Sequence, residues 1–532
     1  MTARRRPTVA VVGGGIAGLA AAWELVTAAE REGRPSPVVH VVESDDRTGG
    51  KLRSTPFAGR TVDLAADAFL ARRPEATGLC EELGLGDQLV APGAAGASIW
   101  ARGRLRPMPD GLNLGVPTRW WPLARSGILS PAESLRVARD LVVPHRGPGP
   151  DAGDRSVGAI VGGRLGRPVV ERLVDPLIGG INAGGVDHLS AAATMPVLIA
   201  AAHQPGSLMH RLGRVRSPGT PGIPGTTEPG PAFYSLTGGT ADLAGQLTAA
   251  LGARGVVFHT GRRVDAVERR PTRSGGARWQ LSLYTTASDT TASDTTASGA
   301  AASGADASGA GAEDRSGTLD VDAVVLGVPA AEAAVLLAPH APVAAGILST
   351  VEYASVAVVT LSLPPGSVRA PMRGTGFLVP RTTELDGRPA LVTGCTYLAR
   401  KWPHLARADD ELVRVSVGRD GDRRHHDLDD DELTARVVAE LGRLVDLAGS
   451  PVLVDVTRWD RALPQYRVGH LIRVAQVEQE VGGLGGVAVA GAALRGVGIP
   501  ACIGSGRTAG RSVLEFLAAG SGARGGLAGS PV

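Results

Sequence analysis

Apolar positions are most regular near the two ends of the chain. Near the start, an apolar run from Thr8 to Val12 is followed by a glycine-rich turn, a helical run from Ile16 to Thr27 and a second apolar run from Val38 to Val42. Short continuous apolar runs are typical of strands that are buried on both faces of a parallel sheet. The pattern therefore predicts a βαβ-like start between Val9 and Val42.

The end of the chain repeats this order. An apolar run lies within Gly486 to Gly491, and a loop separates it from a helical run from Ala501 to Leu517. Pro500 stands directly before that run, where its fixed φ favours the start of a helix. We therefore expect another strand and helix of the same kind here.

The middle of the chain is less regular. Apolar periodicity predicts these elements in order: helices from Ala132 to Leu141 and from Val169 to Leu177, strands from Val356 to Leu363 and from Val413 to Val417, and a helix from Asp431 to Leu447. Because strands and helices alternate only at the two ends, we predict an α/β (α+β) protein. It would have one discontinuous Rossmann-like nucleotide-binding domain and an inserted substrate domain of mixed sheet and helices. The predicted bounds are 1–90, 230–330 and 450–520 for the nucleotide-binding domain, 91–229 for the helical part of the insert and 331–449 for its sheet part.

Residues 285–317 form a low-complexity segment without a single large apolar residue. Such a segment cannot bury enough surface to offset its chain entropy, so we predict a disordered insertion. The flanks, Trp279 to Leu283 and Leu319 to Asp322, alternate as strands do, which indicates a hairpin with an extended tip. We also expect a loop between units at Ser217 to Pro231 and a flexible tail at 520–532.

Composition narrows the possible partners and compartments. The chain carries 55 Lys+Arg against 52 Asp+Glu, with Phe 6, Trp 7 and Tyr 5. A near-neutral, aromatic-poor chain is not expected to bind nucleic acid. The three cysteines, Cys80, Cys395 and Cys502, lack the spacing of a disulfide framework or a metal site, so we predict small buried side chains in a reducing cytoplasm.

The N-terminus imitates a secretory signal. Three arginines, Arg4 to Arg6, precede an apolar run that extends to Ala22. The glycines within this run would weaken a signal helix, whereas they suit a strand, a tight turn and a helix. We expect no signal peptide and no transmembrane segment.

The first glycine motif points to a dinucleotide. Gly13-x-Gly15-x-x-Gly18 would follow a strand and open a helix, so the backbone can approach a pyrophosphate at the helix N-terminus. Glu43 ends the next predicted strand, where a carboxylate accepts hydrogen bonds from an adenosine ribose and disfavours a 2′-phosphate.

A second glycine pair favours a flavin dinucleotide over a nicotinamide dinucleotide as the cofactor. It lies in Arg47-x-Gly49-Gly50-Lys51, where the chain can pass close to the same pyrophosphate and neutralise it. A plain NAD dehydrogenase has no need of this second turn, whereas the arrangement resembles that of FAD-dependent amine-oxidase-like proteins, and this resemblance implies FAD as the cofactor. The predicted helix after Pro500 would aim its positive end at the flavin, which favours electron uptake.

Four segments in order carry a family resemblance: Pro176 to Ser190, Phe233 to Gly239, Trp459 to His470 and Gly491 to Ile503. The last reads Gly-Ala-Ala-Leu-Arg-Gly-Val-Gly-Ile-Pro-Ala-Cys-Ile, and the third contains Pro-Gln-Tyr followed by Gly-His. With these segments the chain resembles the FAD-dependent protoporphyrinogen/coproporphyrinogen oxidases of haem biosynthesis, in particular the Gram-positive, coproporphyrin-forming type. It departs at Asp63 to Ala66, where relatives usually carry Glu-Leu-Gly-Pro.

The resemblance implies an FAD-binding domain of the amine-oxidase and p-hydroxybenzoate-hydroxylase type. The implied FAD contacts are Gly13, Gly14, Gly15, Ile16, Ala17, Gly18, Glu43, Arg47, Gly49, Gly50, Lys51, Val264, Trp459, Val497, Gly498 and Ile499. The implied substrate contacts are Arg73, Gly180, Asn182, Leu378 and Arg495. We assign no catalytic base and no metal, and we expect His470 to make a structural hydrogen bond.

The reaction implied is oxidation of coproporphyrinogen III to coproporphyrin III with three O2, releasing three H2O2. Alternatives are a protoporphyrinogen IX oxidase, a flavin amine oxidase or carotenoid desaturase, and a silent flavoprotein that carries porphyrin. The implied partners are a porphyrinogen, O2 and a ferrochelatase that receives the product.

Overall fold

The computed structural model describes residues 5–143, 153–215, 230–271, 277–286 and 315–523. Most of the predicted disordered insertion, the predicted loop from Ser217 to 229 and residues 524–532 lie outside the described residues. The described strands fall into seven sheets, of which a parallel and a mixed sheet position the site.

The parallel sheet joins three distant parts of the chain. In spatial order, its strands are Val257–His259, Val38–Val42, Thr8–Val12, Ala323–Leu326 and Val487–Val489. All four neighbouring pairs are parallel, which confirms the βαβ-like start and the C-terminal strand. The carboxyl ends of these strands therefore meet at one edge, where open α/β sheets bind their ligands.

Two long helices pack tightly against each other beside this sheet. They are Ile16–Arg31, which follows the first glycine motif, and Ile499–Ala523. A Cβ added at Gly506 would lie 2.0 Å from the carbonyl oxygen of Ala17, so only glycine allows this approach. The second helix runs three residues beyond the predicted boundary at Gly520.

The second large sheet has seven strands and is mostly antiparallel. In spatial order they are Leu453–Pro464, Tyr353–Leu363, Glu411–Val417, Val392–Tyr397, Gly376–Leu378, Ser98–Ala101 and Arg104–Pro107. Only the pair of Gly376–Leu378 with Ser98–Ala101 is parallel. The helix Asp430–Val445 packs its apolar side on this sheet and begins with a capping box between Asp429 and Glu432.

A third sheet contains the predicted hairpin. Its strands are Arg262–Pro271, Ala277–Thr285 and Arg315–Val321. The last two pair antiparallel, with Trp279 opposite Val321, so the hairpin on either side of the low-complexity segment is confirmed. The remaining described strands form four small sheets. One has three strands, in the order Phe69–Leu70, Phe233–Leu236 and Leu89–Val90. The other three have two strands each: Ser54–Phe57 with Arg60–Asp63, Leu112–Asn113 with Val116–Pro117, and Glu384–Leu385 with Arg388–Pro389.

Most helices between residues 120 and 214 surround a separate apolar core. The α-helices described besides those already given are Pro74–Glu82, Trp120–Ser126, Pro131–Val142, Val157–Leu165, Arg167–Val169, Gly180–Asn182, Ala191–Thr194, Pro196–Ala202, Leu208–Arg214, Thr240–Ala253, Ala330–Leu337, Pro342–Ser349, Leu398–Lys401 and His470–Gly483. Short 3-10 turns lie at Gly86–Gln88, Pro403–Leu405 and Arg424–His426.

The predicted helix from Val169 to Leu177 is a π-helix, Val170–Gly179, that follows a short α-turn. Pro176 lies inside it and has no N–H to donate, which weakens a regular α-helical ladder. Wide turns of this kind are frequent at functional sites. This one ends directly before Gly180, a predicted substrate contact.

Two further observations bear on the expectations from composition. Cys80, Cys395 and Cys502 are all buried, as predicted. Within the described ranges, no helix combines the length and the apolar character that crossing a bilayer requires.

Candidate active site

A cavity of about 1060 Å³ opens between the parallel sheet and the seven-stranded sheet. It begins at the carboxyl ends of Thr8–Val12 and Val38–Val42 and extends to the turn after the π-helix. The predicted contacts that line it are Gly13, Gly15, Ile16, Ala17, Glu43, Gly49, Gly50, Lys51, Gly180, Val264, Trp459, Val497, Gly498 and Ile499. The structure thus brings residues from both ends of the chain to one site.

The two glycine motifs form one continuous backbone cradle. The Gly49 N–H donates to the Gly14 carbonyl at 2.8 Å, and Gly15 and Gly49 form an isolated bridge. Gly13 has a φ of +100°, and a Cβ there would lie 2.7 Å from the Gly327 carbonyl oxygen. A Cβ at Gly15 would meet no atom within 4 Å, because this position faces the open cavity. Backbone atoms are therefore presented directly to a ligand.

Gly14 and Gly18 serve this cradle without lining the cavity. The Gly14 N–H donates to Oε2 of Glu43 at 2.6 Å. A Cβ at Gly18 would lie 1.9 Å from the Gly13 carbonyl oxygen, so Gly18 lets the helix start close to the strand. Both glycines shape the turn, and their role as cofactor contacts stays a prediction.

Glu43 is buried at the end of its strand. Besides the bond from Gly14, its Oε1 accepts from the Asp45 N–H at 2.9 Å and the Ser44 hydroxyl at 3.1 Å. These bonds fix the carboxylate at the wall of the cavity, where its remaining acceptor capacity faces a ligand.

Arg47 supports the loop in this structure, and its role as a cofactor contact stays a prediction. Its guanidinium does not line the cavity and donates to the carbonyl oxygens of Gly50 at 2.8 Å and Thr48 at 3.1 Å. These bonds hold the second glycine turn in place. The spacing of the motif could not distinguish a cation that faces the ligand from one that folds back.

Lys51 does face the cavity. Desolvation by the surrounding protein lowers the pKa of its ammonium group, while the nearby Cys502 and Glu332 oppose that shift. Within the described residues, the ammonium group has no hydrogen-bond partner and no ion pair. A cation left without a partner beside a glycine cradle is suited to an anionic ligand such as a pyrophosphate.

The C-terminal segment is braced by the motif that precedes it. The Tyr466 hydroxyl donates to the Ala492 carbonyl, and the ring of Tyr466 stacks on His470 with centroids 4.1 Å apart. Nε2 of His470 lies 2.7 Å from the carbonyl oxygen of Leu494, which confirms the predicted structural hydrogen bond. These contacts position Val497 to Ile499 at the cavity.

Trp459 lies in the strand Leu453–Pro464 of the seven-stranded sheet, and a hydrogen bond to a residue outside that sheet holds its side chain. Its indole N–H donates to the Leu64 carbonyl at 2.9 Å. Leu64 belongs to the stretch where the sequence departs from its relatives, and the neighbouring Ala65 and Ala66 line the cavity with negative φ values.

Asp67 anchors this same stretch. Its carboxylate pairs with Lys401 at 2.9 Å and Arg414 at 3.1 Å and accepts from the Trp402 indole at 2.9 Å. Burial opposes ionisation, but Arg414 and Lys401 outweigh it and hold the pKa of Asp67 well below its ordinary value. The carboxylate therefore stays charged and ties the cavity wall to the sheet.

Gly180 lines the cavity, whereas Asn182 is turned into the protein. Nδ2 of Asn182 donates to the Ile178 carbonyl at 2.9 Å, and the Asn182 carbonyl accepts from Gln465 at 2.9 Å. Asn182 thus supports the turn, and its role as a substrate contact stays a prediction. Leu378 does not line the cavity either, and its Cδ2 would lie 3.8 Å from a Cβ added at Gly180.

Arg73 and Arg495 do not line the cavity. Arg73 is exposed and pairs with Glu75 at 2.7 Å, and Arg495 forms an exposed ion pair with Glu478. A direct contact with a ligand in the cavity would require these pairs to open. The sequence shows that both residues are cationic, but it does not show that each of them forms an ion pair with a nearby glutamate.

Sequence reasoning missed the cations that line the Gly180 side of the cavity, Arg381 and Arg419. It also missed Asp175 in the π-helix and Tyr353 in the neighbouring strand. Tyr353 accepts a hydrogen bond from the Ala330 N–H at 2.9 Å. One signal was available for Arg419: it follows Gly418, which stands directly after the predicted strand from Val413 to Val417, where a glycine favours a turn.

Along the described part of the lining there is no histidine. Cys502 is the lining thiol, and burial raises its pKa to about 11, so it is protonated at neutral pH.

The cradle, the fixed carboxylate and the unpartnered ammonium fit the adenosine and pyrophosphate of FAD, and the cavity continues past them with room for a second molecule. This arrangement defines a flavoprotein oxidoreductase. The chain belongs to the flavin containing amine oxidoreductase family, whose profile matches residues 16–514. FAD is therefore its cofactor.

Individual relatives cover nearly the whole chain. A coproporphyrinogen III oxidase of Propionibacterium freudenreichii subsp. freudenreichii is 34% identical over 95% of this chain and 90% of its own length. The Bacillus subtilis (strain 168) coproporphyrinogen III oxidase is 30% identical over 96% of this chain and 98% of its own. A solved structure from Exiguobacterium sp. 255-15, described as a candidate protoporphyrinogen oxidase, superposes with a TM-score of 0.78 at 29% identity, covering 96% of this chain and 100% of that one.

Proposed function

We propose that this chain oxidises coproporphyrinogen III to coproporphyrin III in haem biosynthesis. The overall reaction removes six hydrogens and reduces three O2 to three H2O2. The observation that carries the proposal is the single cavity that runs from the glycine cradle to Gly180 and the two arginines beyond it. The coproporphyrinogen III oxidases of Propionibacterium freudenreichii and Bacillus subtilis, each at least 30% identical to this chain, support the choice of substrate.

The residues present divide the cavity between cofactor and substrate. Gly13, Gly15, Glu43, Gly50 and Lys51 would hold the adenosine and pyrophosphate. When bound, FAD supplies the two-electron chemistry, since it accepts hydride and passes electrons to O2. The N-terminal end of Ile499–Ala523 lies at the cavity wall, where a helix presents its positive end.

The rest of the cavity suits a large, weakly polar ring. Apolar side chains of Val356, Val358, Val379 and Leu463 line it between the two polar regions. They exclude water and orient the ring, so that a bridging C–H bond is held at the reacting position. Catalysis would rest on this positioning, which can contribute about 7–11 kcal/mol to lowering a barrier.

We propose the same division for the domains. Residues 1–90, 230–330 and 450–520 would form the FAD-binding domain, with the substrate domain in 91–229 and 331–449. The parallel sheet supports the first, because its strands come from all three segments. Leu453–Pro464 adjusts this division, since it pairs with Tyr353–Leu363 in the seven-stranded sheet.

The cellular setting is a further part of the proposal. We place the reaction in the cytoplasm, supported by three buried, unpaired cysteines that suit a reducing compartment. The porphyrin product would pass to a ferrochelatase. Rapid-mixing transfer of product from this chain to a ferrochelatase, compared with product free in solution, tests the hand-off.

The reaction stoichiometry tests the proposed function. With coproporphyrinogen III and O2, we expect three H2O2 for each coproporphyrin formed, at a rate well above spontaneous oxidation. Heat-denatured protein is the control. Formation of porphyrin without H2O2, or at the spontaneous rate, would contradict the proposal.

Protoporphyrinogen IX is the second candidate substrate, favoured by the fold and 29% identity shared with the Exiguobacterium protein. Protoporphyrinogen IX has two fewer carboxylates than coproporphyrinogen III. We therefore predict a higher kcat/KM for coproporphyrinogen at low salt, and a difference that shrinks at high salt as charge interactions are screened. Equal values for the two substrates at both salt concentrations would argue against the preference.

A further inference from the structure

A buried cation without a partner lies at the Gly180 side of the cavity. Arg419 is 9% exposed and lines the cavity, yet among the described residues its guanidinium makes no hydrogen bond and no ion pair. Leaving a buried charge without compensation is costly. A fold that keeps such a cation facing a ligand cavity is prepared for an anion.

The nearby acids are already engaged. Asp422 receives two hydrogen bonds from the Arg424 guanidinium, at 2.6 and 2.8 Å. Asp175 accepts from the Val186 N–H at 3.2 Å and lies 3.7 Å from Nε of Arg381. The five charged groups that interact here, Arg381, Arg419, Arg424, Asp175 and Asp422, leave one net positive charge.

The loop that carries Arg419 is fixed. The Asp420 N–H donates to the Ala183 carbonyl at 2.6 Å, and the Asp420 carboxylate pairs with Arg467 at 2.9 Å. The Asp420 carbonyl accepts from Arg381 at 3.0 Å. These bonds connect both arginines to the turn that presents Gly180, so the cations and the substrate turn form one unit.

Burial and the neighbouring Arg381 lower the pKa of Arg419 to about 10, with Asp175 opposing the shift. Arg419 is therefore still cationic at neutral pH. A guanidinium in this setting binds a carboxylate by two parallel hydrogen bonds, which is stronger and more specific than a point charge.

We propose that Arg419, assisted by Arg381, forms a subsite that binds a carboxylate of the substrate. The assignment rests on the proposed function for the identity of that substrate. Arg419 contributes more than Arg381, because Arg381 is about one-third exposed and already bonded to Asp420. The ligand class is a weakly polar ring with carboxylates at its rim, since Val358 and Val379 line the same cavity together with the small side chains of Thr393 and Ser416.

Equilibrium binding to the FAD-loaded protein tests the subsite without turnover. Coproporphyrin III and its tetramethyl ester are titrated into the wild type and into the Arg419→Gln, Arg419→Lys and Arg381→Gln variants, in one detergent-containing buffer, with porphyrin fluorescence as the readout. We expect Arg419→Gln to raise the Kd of the acid at least about tenfold, Arg381→Gln by about threefold, and Arg419→Lys by an intermediate factor. None should change the Kd of the ester. Arg388→Gln, an exposed arginine that does not line the cavity, is the control.

Stability separates binding from a structural role. Since Arg419 lacks a partner, Arg419→Gln should leave Tm unchanged or raise it, whereas loss of a structural arginine would lower it. An unchanged Kd for the acid, or equal weakening for acid and ester, overturns the subsite. Displacement of porphyrin by inorganic phosphate at equal concentration would identify a general anion site and overturn the assignment to substrate. If the Arg419 variants weaken acid binding but the wild type does not oxidise coproporphyrinogen, the proposed function fails while the subsite stands.

Discussion

At the scale of single residues, Glu43 shows how one side chain joins two parts of the cofactor site. Its carboxylate receives the N–H groups of Gly14 and Asp45 and still borders the cavity. A neutral amide accepts more weakly and offers an N–H where a donor already points.

We predict that Glu43→Gln raises the Kd for FAD about tenfold, equivalent to about 1.4 kcal/mol. Titration of the apoprotein with FAD, followed by flavin fluorescence, measures this. Asp46→Asn is the matched control, because Asp46 is an exposed acid three residues away. Equal affinity for Glu43→Gln and wild type would remove Glu43 from the cofactor site.

The ion pairs of Asp67 lead to a prediction about how the stability of the protein depends on pH. Its pKa is lowered from the ordinary value of 3.8 by Arg414 and Lys401, so the native carboxylate binds a proton less readily than the unfolded one. This stabilisation is present above about pH 4 and is lost as the pH falls toward the native pKa. We expect Asp67→Asn to lower the free energy of unfolding at pH 7 by about 3 kcal/mol and to make stability less dependent on pH below 4.

Urea unfolding at pH 7, 4 and 3 tests this prediction, with Asp409→Asn, an exposed acid, as control. Asp63 lies beside Asp67 and has a pKa raised by burial, so it weakens the overall pH dependence of the wild type. The comparison of Asp67→Asn with wild type reports the loss of Asp67 together with the relief of its repulsion on Asp63. A constant difference between Asp67→Asn and wild type across this range would contradict the linkage.

At the scale of elements, sequence pattern was sufficient where one local signal decided the structure. The strands Thr8–Val12 and Val38–Val42 have the predicted bounds, because they are apolar on both faces and end at glycine or a charged residue. The helix predicted from Val169 is a π-helix instead, since its hydrogen bonding depends on Pro176 and on the turn that follows. Apolar periodicity alone does not contain that information.

The contact between the helices Ile16–Arg31 and Ile499–Ala523 depends on small residues. We predict that Gly506→Ala separates the two helices and lowers both Tm and FAD content, because the added methyl would overlap the Ala17 carbonyl. Gly245→Ala is the control: it lies in the helix Thr240–Ala253, where a Cβ meets no atom within 4 Å. It should stabilise the protein by about 0.5–1 kcal/mol. Thermal unfolding and flavin absorbance measure both effects, and equal Tm values for the two variants would refute the close contact.

At the scale of the whole molecule, sequence reasoning did not predict which distant residues the fold brings together at the cavity. The glycine cradle and Glu43 are close in sequence, so their motif placed them correctly at the cavity. Arg381 and Arg419 reach it through two strands of the seven-stranded sheet, and no short motif contains both. Arg73 and Arg495 form ion pairs with Glu75 and Glu478. These pairs are seen in the structure and were not predicted from the sequence.

One measurement addresses the cofactor, the substrate and the direction of electron flow together. The purified protein is mixed with coproporphyrinogen III in the absence of O2 while flavin absorbance is followed. We predict that the protein is yellow, that the colour bleaches on mixing and that it returns when O2 is admitted, with formation of H2O2. A protein that is colourless and takes up no FAD, or whose flavin keeps its colour in the presence of coproporphyrinogen, would contradict the account.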